Sequence, residues 1–546
     1  MTKERSRWIA LVFISAAISL VIIDGTIVNT IFPSVIDTLK LDSTEVQWVQ
    51  ESYVLVFAAL LLVWGSIADR IGRKRLLLIG IAIFVAASVW AGFSTDASAM
   101  ILARIVQGFG GSMVLPTTLS LVNASFQGKE RGIAFAVWGA TIGGMVAVGP
   151  VLGGWLATDF GDEGWRLAFN INLPLGLIVI AGLLWWAKES KQEQRVPGVD
   201  IIGALLSVVM FATLVFGLIE GRVYGWWDAS TKNQFVLGDF SWPTDGISII
   251  PVSLAISAVG FTLFILWERA RAKANKAVLL DLELFKVGSF RNGSIAALII
   301  SMGEFGILFA IPLWLQNVLL LTPIESGVVL LWLAGGAFLA SGVGGGLSGK
   351  ISPRTMVQSG VALELIGAIG IALFASTEAG VWSIAPFLFV YGVGVGLATA
   401  QLTGVIMVDV TMDKIGQASG SQSTVRQVGS ALGIAVLGTM LFTGVQSSLE
   451  TRIAEQSISS EQSSVIVDLV VDSAGGVIPS LPELLQSPAT GAPLSKEVAD
   501  QITADAGQAF TDGAKASAWA AAGFLLLGLI STLNIGARRK KEEPAN

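Results

Sequence analysis

Apolar residues along this chain gather into fourteen long blocks separated by short polar intervals. The blocks lie near 8–36, 47–66, 76–94, 98–122, 132–158, 168–187, 200–220, 248–268, 292–317, 325–348, 355–376, 382–409, 417–443 and 516–537. A helix needs about 20 mostly apolar residues to cross a bilayer. The pattern therefore predicts an all-α polytopic membrane protein with fourteen transmembrane helices and both termini on one side. The first apolar run, from Trp8 to about Phe32, is too long for a cleaved leader and is interrupted by Asp24 and Asn29. No small-residue cleavage site follows it, so it reads as a retained first span.

Charge fixes the expected orientation. Of the 34 Lys and Arg, 25 fall in the terminal segments and alternate loops that fourteen spans place with the termini. Seven fall on the other side (Lys40, Arg166, Arg222, Lys232, Arg452, Lys496 and Lys515), and Arg104 and Arg426 lie within spans. Cytoplasmic loops carry the excess of Lys and Arg, so both termini are expected in the cytoplasm. Composition agrees: 14% charged residues, 53% hydrophobic and a mean hydropathy of +0.72, against about 25% charged in soluble domains. The 62 glycines and three tyrosines suit close helix packing in lipid.

With no cysteine and no histidine, disulfides, thiolate chemistry, haem ligation and the usual zinc sites are excluded. Proton handling near neutral pH then falls to carboxylates, since histidine ordinarily does it. Two outer segments are long. Residues 222–247 contain YGWWD and FSWP, an aromatic stretch suited to the membrane interface. Residues 444–515 hold ten acidic and three basic residues, with Pro479, Pro482, Pro488 and Pro493 dividing two helix-like halves. A solvated cap is the plain reading of this segment, and attraction of cations to an outer mouth is the sharper one.

Four motifs carry more specific information. GSIADRIGRKR after the second span combines Gly65, Asp69, Arg70, Gly72, Arg73 and Lys74 in a tight two-helix turn. There the glycines permit close approach, and Asp69 can meet an arginine or a helix N-terminus. A weaker copy, GGLSGKISPR at 345–354, has Gly349 in place of the acid. The fourth span carries Arg104, Gln107 and Gly108 in RIVQGFGG, and an intramembrane arginine needs a cavity or a partner. The fifth carries GGMVAVGPVLGGW, with Gly149, Pro150, Gly153 and Gly154. WRLAFNINLPLG at 165–176 opens the sixth.

These segments resemble motifs A, B and C and the span-six signature of the major facilitator superfamily. With fourteen spans and DGTIVNTIFP in span one, the chain is similar to its fourteen-helix drug:H+ antiporters of the QacA/EmrB type. PLWLQNVLLLTPIESGVVLL (312–331) and GSQSTVRQVGSALGIAVLG (420–438) extend the likeness into the second half. Motif C departs slightly from pattern, with Met145 at the place of its first glycine. The resemblance implies two six-helix bundles, 1–195 and 276–546, with helices seven and eight (196–275) inserted between them. It also implies a motif A latch between the halves, formed by the first copy only. Motif C marks exporters, and alternating access driven by inward proton flow is the implied mechanism. Some relatives place acids in spans ten and thirteen to recognise dicationic drugs. A rough matching puts Ala337 and Gln422 there, which weakens any expectation of selectivity for dications.

Candidate chemistry then centres on acids inside spans. A carboxylate that alternates between dry surroundings and a wet or arginine-paired state can load and release a proton. Asp24 is the leading candidate, with Arg104 as its modulator, although an arginine held by backbone carbonyls is the plain alternative for the latter. Glu304 and Glu364 are further proton or cargo candidates, each with interhelical hydrogen bonding as the structural alternative. Glu51 lies near a span, and Asp409 and Glu220, near span ends, are expected to be interfacial. Asn29, Trp48, Tyr53, Gln107, Trp138, Phe305, Trp314 and Gln316 could line a substrate cavity; Trp332 is a further aromatic of this kind.

The expected function is proton-coupled export of amphipathic or cationic small molecules, with no cofactor beyond the proton gradient, no metal and no nucleic-acid partner. Export or flipping of a lipid or lipid-linked envelope molecule is the alternative. The expected setting is a multi-pass protein of the bacterial plasma membrane, acting as a monomer among membrane lipids. No catalytic constellation suggests an enzyme.

Overall fold

The computed structural model describes residues 3–535 apart from 42, 192–197, 238–239, 348–349, 455, 457, 488–492 and 534. Arg195, Gly349, Pro488 and the basic residues 538–541 lie outside the described residues. The helices are α1 (Lys3–Leu39), α2 (Ser43–Ile71), α3 (Arg73–Gly92), α4 (Ala97–Ser125), α5 (Gly128–Asp159) and α6 (Gly164–Asn170). They continue with α7 (Asn172–Trp186), α8 (Ile201–Tyr224), α9 (Ile249–Lys273), α10 (Gly288–Asn317), α11 (Pro323–Leu347) and α12 (Pro353–Phe374). The last are α13 (Ala385–Ile406), α14 (Ile415–Ile453), α15 (Ser460–Asp472), α16 (Leu481–Leu485) and α17 (Lys496–Thr532). Among the described residues, fourteen helical segments are long and apolar enough to cross a membrane, with α6 and α7 forming one of them. In hydrocarbon no water can satisfy a free N–H or C=O, so the backbone closes its own hydrogen bonds as helix. Asp96, Asp200, Ser248, Ser352 and Ser495 cap the helices they precede, each accepting from a first-turn amide.

Two boundaries differ from those the sequence suggests. The sixth span is divided at Ile171, because Pro174 has no N–H to offer the Asn170 carbonyl. The acidic segment 444–515 is not a separate loop. α14 and α17 run on beyond their apolar blocks, to Ile453 and from Lys496, and carry α15 and α16 between them. Ile466, Val467 and Val470 of α15 and Leu481 and Leu485 of α16 are buried with Ile502 and Phe510 of α17. The cap thus continues the main apolar core, which runs on from Leu437 and Leu441 of α14 into these residues. Across from it, Val236–Leu237 and Phe240–Ser241 pair as a short antiparallel ribbon. Lys232 joins the 222–247 and 444–515 segments through Asp468 (3.1 Å) and Asp472 (2.7 Å).

α1, α2, α3, α4 and α7 pack among themselves, as do α10, α12, α13, α14 and α17. The two sets meet where α5 lies against α11 and α13 and where α2 crosses α14. α8 and α9 pack on each other, and α8 leans on α2 and α14. Their most hydrophobic windows bury only 33% and 28%, against 56% for each of α1 to α4. The pair thus sits at the periphery and faces lipid. Asp409 is exposed, and Glu220, expected at the interface, is buried near the end of α8, where the Trp226 ring packs on the neighbouring Gly221. The aromatic segment that follows folds back on that helix end, with Ser248 Oγ donating to the Tyr224 carbonyl.

Candidate functional site

Asp24 of α1 is 1% exposed, and Arg104 of α4 is 2% exposed. Arg104 Nη1 donates to Asp24 Oδ2 at 2.8 Å and to Gln107 Oε1 at 2.7 Å. Gln107 Nε2 donates to Asp24 Oδ1 at 2.7 Å, and Asn172 Nδ2 donates to the same oxygen at 3.2 Å. Asn172 also donates to Ser88 Oγ, which in turn donates to the Phe169 carbonyl. The guanidinium lies over the Tyr53 ring, 4.2 Å from its centre. The α4 register brings Arg104 and Gln107 to one face, since residues three apart are neighbours on a helix. The break at Ile171 lets Asn172 point inward from the start of α7. A buried charge pair whose remaining valences are satisfied by fixed amides is the arrangement that low-dielectric surroundings tolerate.

A second cluster lies in the other set of helices. Glu304 of α10 accepts from Thr399 Oγ1 of α13 at 3.2 Å and lies 3.5 Å from Arg426 Nη2 of α14. Glu364 of α12 is fully buried, and among the described residues neither of its oxygens has a hydrogen-bond partner. The Tyr391 hydroxyl of α13 is in the same position. Glu364 experiences the charges of both Glu304 and Arg426. Gln422 donates to Thr403 Oγ1 at 3.1 Å. Asp24 and Glu304, the paired acid of each cluster, stand on α1 and α10, and each faces an arginine from another helix.

The third assembly is the turn between α2 and α3. Asp69 accepts from Arg73 Nη2 (2.7 Å), and also from the Gly416 amide (2.9 Å) and the Gln417 amide (3.1 Å). These amides open α14, so Asp69 caps a helix from the other half, where the dipole favours an anion. Arg73 also donates to the Met412 carbonyl and to Ser190 Oγ. A Cβ on Gly65 would come within 2.6 Å of Gly420 Cα, so glycine at both places is what lets α2 touch α14. Gly72 has φ of 113°, and Glu189 caps the α3 N-terminus that follows it. Lys74 donates to the carbonyls of Leu184 and Ala187, and Arg70 donates to the Gly198 carbonyl. The Asp69 contacts thus join the α2–α3 turn to the start of α14.

A sequence profile of the Major Facilitator Superfamily matches residues 14–434. The chain belongs to this superfamily. It is a transporter rather than an enzyme, and a multi-pass membrane protein, which in bacteria means the plasma membrane. The multidrug resistance protein Stp of Mycobacterium tuberculosis is 29% identical over 483 residues, covering 87% of this chain and 84% of that one. The probable actinorhodin transporter of Streptomyces coelicolor is 31% identical, over 80% and 72% of the two chains. The multidrug efflux pump LfrA of Mycolicibacterium smegmatis is 29% identical over 97% and 96%. Among solved structures, the human organic anion transporter MFSD10 superposes with a TM-score of 0.60 at 11% identity, covering 97% of this chain and 100% of that one. That likeness concerns the fold alone.

Within this superfamily fold, the motif C residues sit at the junction of the halves. Gly149 and Gly153 face Thr26, Ile27 and Thr30 of α1, whereas Gly154 faces Ile324 in the first turn of α11, and Gly327 of α11 packs on Pro150. α5 runs on through Pro150. The eight residues expected to line one cavity are dispersed. Tyr53 and Gln107 belong to the Asp24 cluster. Trp48 packs edge-on against Phe235, just before the short ribbon. Trp138 donates to Thr118 Oγ1 at 3.4 Å, and Trp314 donates to Thr511 Oγ1 at 2.9 Å, so both tie helices within their own half. Phe305 and Gln316 are half-buried on α10. Asn29 is in α1, and its side chain lies outside those described. Trp332 is exposed against Trp382. Ala337 sits between α5 and α13.

Sequence reading passed over Asn172, Arg426, Tyr391 and Thr399. Asn172 had a signal, a polar residue recurring within NINLP. Arg426 had one as well, as the second of two arginines inside spans. Nothing in the sequence singles out Tyr391 or Thr399 from other span residues.

Proposed function

We propose that this protein is a proton-coupled antiporter that exports amphipathic or cationic small molecules by alternating access. The observation that carries the reading is the Asp24–Arg104–Gln107–Asn172 cluster, an acid held dry by an arginine and two amides. When Asp24 takes a proton, its ion pair with Arg104 is lost and the arginine is freed to rearrange. The charge change is thereby converted into a change of helix contacts. Glu304 and Glu364, with Arg426 beside Glu304, serve as the second proton-handling or cargo site. Residues 1–195 and 276–546 act as the two bundles, with 196–275 as the inserted pair.

Both termini and the α2–α3 turn lie in the cytoplasm on this reading, in keeping with the basic loops. Asp69, Arg73 and Gly65 then form the cytoplasmic latch, and the structure represents the state in which it is closed. Motif C, with Gly149, Pro150, Gly153 and Gly154 between α1 and α11, is the seam along which the halves rock. The protein works as a monomer with no cofactor, drawing on the proton gradient.

The test uses inverted membrane vesicles with a preset proton gradient and a cationic dye as substrate. Dye addition should discharge the gradient with the native protein and fail to do so with Asp24→Asn. Unchanged exchange in that variant would remove Asp24 from the mechanism. The absence of acids at Ala337 and Gln422 favours one second reading, a lipid cargo. In that case the dye produces no discharge, while a fluorescent lipid changes leaflet in reconstituted liposomes.

A further inference from the structure

The inserted pair does not lie flush on the core. Between α8, α9, α10 and α14 runs a groove of about 560 Å³, walled by Leu62 of α2, Phe211, Phe264, Leu298 and Val428. At its mouth stand Arg269, near the end of α9, and Arg291, near the start of α10; both are exposed. The acids around them are engaged elsewhere. Glu283 pairs with Lys286, Asp281 with Lys414, and Asp200 with Arg271. Among the described residues neither Arg269 nor Arg291 has an ion pair; Arg291 Nε donates to Asn292 Oδ1 alone. On the inner wall Ser294, 4% exposed, lines the groove, and among the described residues its hydroxyl has no hydrogen-bond partner.

Shape and charge describe one kind of occupant. From Arg269 to Phe261, and from Arg291 to Leu298, the groove follows its helices for on the order of 10–12 Å at 1.5 Å per residue. That is most of one leaflet of a hydrocarbon core about 30 Å thick. An acyl chain lying along the helices fits the apolar length. The two guanidinium groups at head-group depth present forked donors that match phosphate geometry.

We propose that this groove is a binding site for an anionic phospholipid, with a chain against Phe211, Phe264 and Leu298 and its phosphate on Arg269 and Arg291. The occupant fills the seam between the inserted pair and α14, the helix whose N-terminus Asp69 caps. The site is independent of cargo and of proton coupling, because it lies outside both charge clusters.

The test reads lipid binding, without transport. Full-length protein is purified from nanodiscs of equal phosphatidylglycerol and phosphatidylcholine, and retained lipid is counted by native mass spectrometry. Two basic side chains near the surface should favour phosphatidylglycerol by about 30-fold, with one molecule retained. Arg269→Ala/Arg291→Ala should reduce that preference to near unity, and Leu298→Trp, which blocks the groove and keeps both arginines, should lose the lipid. Equal retention of the two lipids by the native protein overturns the site. So does undiminished phosphatidylglycerol retention in either variant, which would assign the lipid to the general membrane annulus.

Discussion

Asp69→Asn tests how much of the closed state rests on one carboxylate. The Arg73 contact lies within one half and survives opening, so it contributes nothing to the bias between states. The Gly416 and Gln417 amides belong to the other half and are released. Hydrogen bonds to a charged group contribute about 1.5–3 kcal/mol each, net of exchange with water, and two bonds to one carboxylate are less than additive. The two bonds together then favour closure by about 2–4 kcal/mol. Asparagine keeps one acceptor oxygen and loses the charge that the α14 dipole favours, so about half of this, roughly 1–2 kcal/mol, disappears. The open population should rise roughly 5- to 30-fold.

The cysteine-free chain makes this measurable. Ser419 of α14 is fully buried, three residues beyond Gly416, and among the described residues its hydroxyl has no hydrogen-bond partner, so Ser419→Cys is a mild change. Maleimide labelling of that cysteine should accelerate by the same factor when Asp69→Asn is added. An unchanged labelling rate in folded protein would show that the Asp69–α14 contact does not hold the gate.

Gly420→Val should act on the same gate from the other helix. Its added carbons would meet Gly65 Cα at 2.9 Å, so labelling at Ser419→Cys should become fast and transport should stop. Arg104→Gln leaves the Asp24 charge buried without its partner and should cost about 3–5 kcal/mol; adding Asp24→Asn should restore part of the thermal stability but not the proton coupling. Glu364→Gln should shift stability by no more than about 1 kcal/mol, because no protein bond is lost, whereas Glu304→Gln should cost more by stranding Arg426. Thermal unfolding in detergent ranks the two. The Lys232 ammonium is held above its usual range by the hydrogen bonds it donates to Asp472 and Asp468. Its bridge should therefore be complete at neutral pH and lost only above the ordinary lysine range. It should also weaken with salt, read as protease sensitivity of the outer cap.

The periodicity and charge of the sequence were enough for the number of spans, because lipid forces each apolar block to close its hydrogen bonds within itself. The tight turn at Gly72, the acid at 69 and the arginine at 104 were legible for the same reason. A charge or a glycine inside such a segment is costly enough to be informative. Which partner answers each was not legible. Asp69 meets amides almost 350 residues away, and Asn172 reaches Asp24 only because Pro174 breaks the sixth span. The dispersal of Trp48, Trp138 and Trp314 makes the same point: an aromatic within a span packs equally well on any apolar neighbour, so sequence cannot choose its direction. Sequence alone decided that this chain crosses a membrane and which of its polar residues are expensive to bury. Tertiary structure decided how those residues are matched, because helix rotation and the contact between the halves are set by packing across the whole molecule.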